Sequence, residues 1–149
     1  MNIMVKITLV LLITVIFASC SLFEKSQISK EDEASLRAEL GMEYMKIRQY
    51  DKAITEWREA MKLLPDKYYY LANNIGIIYF QEGKLDQAEQ EWLRVQKKAP
   101  DNSITLINLG NLNQKRGNFD QAETYYKKVI EAEPEYYLAY TNLGSMYMS

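Results

Sequence analysis

Apolar side chains recur along this chain with the spacing of one helical face. Ala53, Trp57 and Ala60 stand at i, i+4 and i+7, which places them on one side of a helix. The same pattern returns twice, at Ala88, Trp92, Val95, Ala122, Tyr126 and Val129. With the polar positions between them, these residues predict seven amphipathic helices, at 30–47, 51–63, 68–82, 86–98, 102–116, 120–132 and 136–148.

Glycines repeat with the same step as the apolar pattern. Gly41, Gly76, Gly110 and Gly144 are 34 or 35 residues apart. A repeated unit of about 34 residues resembles the tetratricopeptide repeat (TPR). The resemblance implies an all-α fold, a TPR α-solenoid of antiparallel helix pairs with three repeats plus one extra helix. The repeats fall at about 34–68, 69–102 and 103–136, with a half repeat at 137–149.

Small residues on facing helices predict how each pair packs. We expect a glycine of the first helix to lie opposite an alanine of the second, as Gly41 opposite Ala53, with the aromatic residue filling the space beside them. Asn113 replaces the tyrosine that the repeat usually has at its position, and we expect it to be an unpaired polar group in the core.

Turn and cap residues predict where the helices begin and end. Ser29, followed by Asp32, predicts a helix N-terminus. Gly83 and Gly117 are expected to end helices in the left-handed conformation, whereas the first repeat has Arg48 there. At the start of each second helix a carboxylate is expected to cap the first amides, at Asp51, Asp86 and Asp120. At its end a proline is expected to stop the helix, at Pro65, Pro100 and Pro134.

The first residues of the chain differ in composition from the repeats. One lysine precedes an apolar run at 7–18, which is too short for an ordinary membrane span and typical of a secretory signal. The following Phe17-Ala18-Ser19-Cys20 resembles the bacterial lipoprotein signal, in which the cysteine is lipidated. The prediction is therefore a signal peptide at 1–19, a lipidated tether at 20–29 and a TPR domain at 30–149.

Two alternatives to lipidation remain open: an uncleaved signal anchor, and ordinary cleavage that leaves Cys20 as a free thiol. If Cys20 is lipidated, each acyl chain stabilises membrane attachment. Ser21 after the cysteine resembles the sorting pattern for the outer membrane, which implies its periplasmic face in a Gram-negative cell.

Composition argues against several classes of function. The net charge is −2 with interspersed charges, so there is no basic field for nucleic acid. The chain has no histidine and one cysteine, and it shows no metal-ligand cluster, phosphate loop or nucleophile motif. We therefore expect neither an enzyme nor a cofactor, metal or small-molecule substrate.

The TPR resemblance implies a groove lined by the first helix of each repeat. By position, the predicted partner-binding residues are Met42, Met45, Tyr70, Asn73, Asn74, Ile77, Phe80, Ile107, Asn108, Asn111, Gln114 and Asn142. This apolar, amide-rich set suits an extended peptide or a partner helix. Methionine and aromatic residues at helical spacing are equally consistent with packing alone.

One branch of the family clamps the carboxylate end of a chaperone tail with lysine, arginine and asparagine side chains. The matching positions here are Ala38, Met42, Asn74, Ile104 and Asn108. Only Asn74 agrees and none is a cation, so the sequence argues against carboxylate clamping.

The last predicted helix has no second helix to pair with. Tyr140, Leu143 and Tyr147 would then form an uncovered apolar edge, which we expect to mediate self-association or to dock a partner helix. A simple capping helix and a shortened chain are the alternatives.

Together these features favour a membrane-anchored TPR scaffold that binds a protein partner in the cell envelope. The layout resembles lipoproteins that assemble pili or secretion machinery. Two alternatives remain: an adaptor that regulates cell-wall enzymes, and a truncated TPR fragment without independent function.

Overall fold

A computed structural model describes residues 28–148, which form eight helices. In chain order these are α1 (Lys30–Lys46), α2 (Tyr50–Leu63), α3 (Pro65–Tyr68), α4 (Leu71–Gln81), α5 (Leu85–Lys98), α6 (Ser103–Lys115), α7 (Phe119–Ala132) and α8 (Tyr137–Tyr147). The pairs α1–α2, α4–α5 and α6–α7 pack in succession, and α8 packs on α7. Short connections make each pair antiparallel. This confirms the predicted all-α solenoid of three helix pairs and one extra helix.

The seven predicted helices are all present, with bounds that differ by at most three residues, at 71 against the predicted 68. The one-turn helix α3 was not predicted. Pro65 begins it, because proline lacks the amide hydrogen that a first helical position leaves unpaired. Between Ile28 and Met148, no helix combines the length and the apolar character that crossing a bilayer would require.

The predicted turn residues adopt the expected backbone conformation. Gly83 and Gly117 have φ of 77° and 80°, and Arg48 takes the same left-handed region with φ of 58°. Ser29 accepts a hydrogen bond from the amide of Asp32, which confirms the predicted cap of α1. The first repeat therefore makes the same turn as the others, but with a side chain that disfavours it.

The prediction of carboxylate caps on the second helices is wrong. Helices α2, α5 and α7 begin one residue before Asp51, Asp86 and Asp120, and no side chain caps their first amides. The aspartates instead occupy the first turn, where a negative charge interacts favourably with the helix dipole.

The atoms nearest to the glycines of the first three first helices belong to aromatic rings of the second helices. A side chain added at Gly41 would come 2.4 Å from the Trp57 ring, and one at Gly76 would come 2.3 Å from Trp92. At Gly110 the nearest atom belongs to Tyr126, at 2.4 Å. Each ring is fully or almost fully buried. The glycine therefore provides the space for the ring that was predicted to lie beside it, while the glycine–alanine contact stays a prediction.

The expectation that Asn113 is unpaired is also wrong. Asn113 is buried, but its side-chain nitrogen donates to the carbonyl oxygen of Leu109 at 2.8 Å. Its side-chain oxygen accepts a long hydrogen bond from Asn118 at 3.4 Å. Asparagine is accommodated because the helix and the following turn supply its partners.

Candidate functional site: the face of the first helices

The helices α1, α4, α6 and α8 present one continuous face, which we call the groove. Hydrogen bonds join each neighbouring pair of these helices. Asn74 donates to the sulfur of Met42 at 3.6 Å, Thr105 donates to Asn73 at 2.9 Å, and Asn142 donates to Asn111 at 2.9 Å. The first helices are thus connected side by side through asparagine side chains.

The first half of the groove is an open cleft between α1 and α4 with a volume of about 480 Å³. Met42 and Tyr70 lie in it with 41% and 47% of their surface exposed, and Asn74 is half-buried between them. Glu39 adds a carboxylate, and Lys67 at the rim is paired with Glu31 at 2.6 Å. The cleft therefore combines apolar surface with a single amide and no unpaired cation.

The second half of the groove is closed by an internal network. The hydroxyl of Tyr126 lies 2.8 Å from Oδ1 of Asn111 and 3.0 Å from Oε1 of Gln114, so the two oxygens share its proton. Asn142 donates to the same Asn111 oxygen. Burial raises the pKa of Tyr126 from 10.0 to about 12, so this hydroxyl keeps its proton to a higher pH than an exposed tyrosine does.

The predicted groove residues differ in how far a ligand could reach them. Asn73 and Ile107 are 7% and 3% exposed, so little of either side chain is accessible to a ligand. Met45, Ile77 and Phe80 are partly buried in hydrophobic clusters, and Phe80 lies 5.7 Å from the ring of Trp92.

The remaining predicted residues lie on the surface of the groove. Asn108 is half-buried, and its side-chain nitrogen has no hydrogen-bond partner. The others are the cleft residues and the members of the Tyr126 network: Met42, Tyr70, Asn74, Asn111, Gln114 and Asn142.

Residues 69–135 match the family model of the tetratricopeptide repeat. The first TPR of Spaghetti (RPAP3), bound to an HSP90 peptide, superposes with a TM-score of 0.71 at 23% identity, covering 79% of this chain and 93% of that one. The Arabidopsis OM64 TPR domain gives 0.70 at 19% identity, covering 80% and 98%. The chain has the tetratricopeptide-repeat fold.

A third TPR structure, the N-terminal domain of stress-induced protein-1 from C. elegans, gives a TM-score of 0.65 at 18% identity. It covers 80% of this chain and 98% of that one. Among curated proteins, no sequence matches this chain. At these identities the likeness establishes the fold of this chain and no more.

Within this TPR fold, sequence reasoning assigned Tyr126 to packing alone and missed its role in the groove. The available signal was the change from Trp57 and Trp92 to tyrosine. The indole N–H groups of Trp57 and Trp92 donate to the backbone carbonyls of Ala38 and Asn73, at 3.1 and 3.2 Å. A phenol places its polar atom at the tip of the ring, and that atom therefore reaches the side chains of the groove.

The three residues of the predicted association edge do not share one environment. Tyr140 is 45% exposed on the side of α8 that corresponds to the covered side of the other first helices. Leu143 is partly buried against the cluster that contains Tyr126. Tyr147 is hydrogen-bonded to Glu123 of α7, and this bond raises the pKa of Tyr147. The predicted lipidation site, Cys20, lies outside the described residues.

Proposed function

We propose that this chain is a membrane-tethered TPR adaptor whose groove binds a polypeptide segment of another cell-envelope protein. The observation that carries the proposal is the cleft between α1 and α4. It exposes Met42 and Tyr70 on either side of an asparagine, whereas the equivalent surface farther along is occupied by its own network.

The chemistry of the cleft supports an extended segment with apolar side chains. An asparagine can bond both to a backbone N–H and to a backbone C=O, and flexible methionine adapts to varied apolar side chains. Asn108, on the neighbouring helix α6, adds a side-chain N–H donor that has no hydrogen-bond partner. If the Asn108 side chain rotated toward the ligand, its nitrogen could donate to a backbone carbonyl of the ligand. This would favour binding, because a buried donor without a partner raises the free energy of the unbound protein.

The charge of the cleft argues against an acidic peptide as the ligand. The Spaghetti TPR is bound to the peptide SRMEEVD, which carries three acidic residues. In this chain the corresponding clamp positions hold Ala38, Met42, Asn74, Ile104 and Asn108. Glu39 in the cleft would repel an acidic segment as well. The ligand we propose is therefore neutral or basic, with apolar side chains.

The test of groove binding is site-specific photo-crosslinking in cells. A photoreactive amino acid at Tyr70 should capture a discrete partner, which mass spectrometry of the adduct then identifies. The same amino acid at Leu93, 43% exposed on α5, provides the matched control and should capture none. Equal capture from both positions would exclude the groove as the binding surface.

A pair of groove substitutions gives a second measure. Met42→Glu adds a second carboxylate beside Glu39, so we expect at least about tenfold weaker binding of the identified partner, as for the loss of a buried contact. Leu93→Glu adds the same charge outside the groove and should leave the affinity unchanged. Unchanged binding by both variants would contradict the proposal.

The membrane tether is the part of the proposal that rests on the sequence alone. Lipidation of Cys20 would attach the repeats to the cell envelope, at the periplasmic face of the outer membrane in a Gram-negative cell. This location suits assembly of pili or secretion machinery; regulation of cell-wall enzymes is the alternative. Labelling with a radioactive fatty acid should mark the wild type and spare Cys20→Ser, and equal labelling of both would exclude this cysteine.

A further inference from the structure

The cleft between α1 and α4 contains one carboxylate that no other described residue neutralises. Glu39 lines the cleft and is exposed to solvent. Among residues 28–148, no hydrogen bond or ion pair joins its side chain to another residue. The other charged residue that lines the cleft is Lys67, and it is paired with Glu31 at 2.6 Å. The uncompensated charge of the cleft is therefore negative, and Glu39 supplies it.

The neighbours of Glu39 on its own helix supply no cation either. The positions three and four residues away, which lie on the same side of α1, are Ser35, Leu36, Met42 and Glu43. Glu43 is itself paired with Lys46 at 2.6 Å. Water alone can satisfy an exposed carboxylate, so the surroundings of Glu39 must distinguish it from an ordinary surface charge.

The first distinguishing feature is the place of Glu39 in the repeat. It stands two residues before Gly41. Asparagine stands two residues before the glycine of each later unit, at Asn74, Asn108 and Asn142. The first unit therefore places an ion in a row of amides, and it does so in the half of the groove that is an open cleft.

The second distinguishing feature is an exposed aromatic ring in the same cleft. The ring of Tyr70 packs beside that of Tyr68, with 6.1 Å between the ring centroids. A cation of the protein itself covers Tyr68, since the nitrogen of Lys67 lies 5.6 Å from its ring centroid. No cation of the described residues covers the ring of Tyr70.

These two groups match the two parts of a long basic side chain. Lysine and arginine place an apolar stem along an aromatic surface while the charged end pairs with a carboxylate. Tyr70 and Glu39 offer these two surfaces on the lining of one cleft. A neutral segment would leave the carboxylate facing the ligand without a partner.

We propose that Glu39 binds a lysine or arginine side chain of the segment in the cleft, so that the cleft selects a basic residue flanked by apolar ones. Tyr70 covers the apolar stem of that side chain, and Met42 contacts an apolar neighbour. The inference rests on the proposed function. It narrows the ligand from a neutral or basic segment to one that carries a cation.

Selection from a library of random peptides tests this preference without knowledge of the natural partner. The full chain in mild detergent is immobilised, and the bound peptides are identified by sequencing. The wild type should enrich peptides in which lysine or arginine adjoins apolar residues. Glu39→Lys should lose these peptides and enrich peptides with aspartate or glutamate instead. The substitution leaves the fold intact, because Glu39 is exposed and unpaired within the described residues.

Affinities of individual selected peptides give the size of the effect. For a peptide selected by the wild type, we expect Glu39→Gln to bind about three- to tenfold more weakly and Glu39→Lys at least about tenfold more weakly. Replacing the basic residue of the peptide by norleucine should weaken its binding to the wild type but not to Glu39→Gln. Added salt should likewise weaken binding to the wild type more than binding to Glu39→Gln.

Two further variants separate this inference from the proposed function. Glu131→Lys is the matched control, because Glu131 is an exposed carboxylate on α7, outside the cleft, and it should select the same peptides as the wild type. Tyr70→Ala should lose the selected peptides, which places them in the cleft. Peptides that need Tyr70 but carry no basic residue would overturn the inference and leave cleft binding intact, and so would a Glu39→Lys variant that selects the wild-type set. If no peptide were enriched, or if none depended on Tyr70, the inference and the proposed function would fail together.

Discussion

The three complete helix pairs and helix α8 use the same glycine in opposite ways. At Gly41, Gly76 and Gly110 the missing side chain makes room for a buried ring, so the residue is fixed by its neighbour. At Gly144 the same sequence position faces open space. The comparison separates two effects of a glycine that a sequence cannot distinguish: the space it leaves for a partner, and the backbone entropy it adds to the unfolded chain.

The largest expected effect comes from placing a methyl group in an occupied space. In Gly76→Ala the added carbon would lie 2.3 Å from Nε1 of Trp92, which is closer than any real contact, so the buried ring must move. The ring would also lose its hydrogen bond to the carbonyl of Asn73. We expect the free energy of unfolding to fall by about 2–3 kcal/mol. Urea denaturation followed by circular dichroism measures the change.

Gly144→Ala is the control for the loss of glycine itself. Its added methyl group contacts nothing, so only the helix propensity changes, and we expect a stabilisation of about 0.5–1 kcal/mol. Equal destabilisation by both substitutions would show that the ring contact is not what distinguishes the two positions.

The third helix pair has a tyrosine, Tyr126, where the first two have tryptophan, and only the tyrosine can lose a proton at high pH. The folded chain holds the proton of Tyr126 more tightly than the unfolded chain does, because burial raises its pKa from 10.0 to about 12. Stability from this group is therefore complete below pH 10 and is lost as the pH rises toward 12, by up to about 2–3 kcal/mol. Tyr126→Phe has no proton to lose at this position.

Denaturant midpoints of the wild type and Tyr126→Phe at several pH values test this difference. At neutral pH the wild type should be more stable than Tyr126→Phe by about 1 kcal/mol, because the variant lacks the hydrogen bond of the hydroxyl. Above pH 10 this difference in the free energy of unfolding should shrink or reverse. Other tyrosines titrate in both proteins and so cancel. A gap that does not change with pH would contradict the burial of this hydroxyl.

The period of the sequence predicted the helices and their order, because helix boundaries depend on local patterns and turn residues such as Gly83. It did not predict which atoms meet across a pair. Glycine and alanine are both small, and only the three-dimensional arrangement shows that the ring of Trp57, not Ala53, is nearest to Gly41.

The candidate site was predicted by position but not by accessibility. The register placed Asn73 and Asn74 together in the groove, yet Asn73 is buried and bonded to Thr105 while Asn74 is reachable. A turn of about 100° per residue separates neighbours on a helix, so adjacent residues have different partners. Long-range pairs such as Arg58 with the buried Glu91, at 2.9 Å, had no sequence signal.

The smallest expected effect concerns the turn that follows the first helix of each pair. Arg48 has a positive φ of 58°, whereas the second and third pairs use Gly83 and Gly117 for the same turn. A residue with a side chain is destabilised by roughly 1 kcal/mol or more in this conformation. Glycine avoids this strain, but it increases the conformational entropy of the unfolded chain, which offsets part of the gain. We therefore expect Arg48→Gly to stabilise the protein by about 0.5–1 kcal/mol in urea denaturation. The reciprocal change, Gly83→Ala, should destabilise it by a similar amount, since an added carbon there contacts nothing and only the backbone conformation is affected. If both substitutions were neutral, the strain at Arg48 would have to be relieved by movement of the turn.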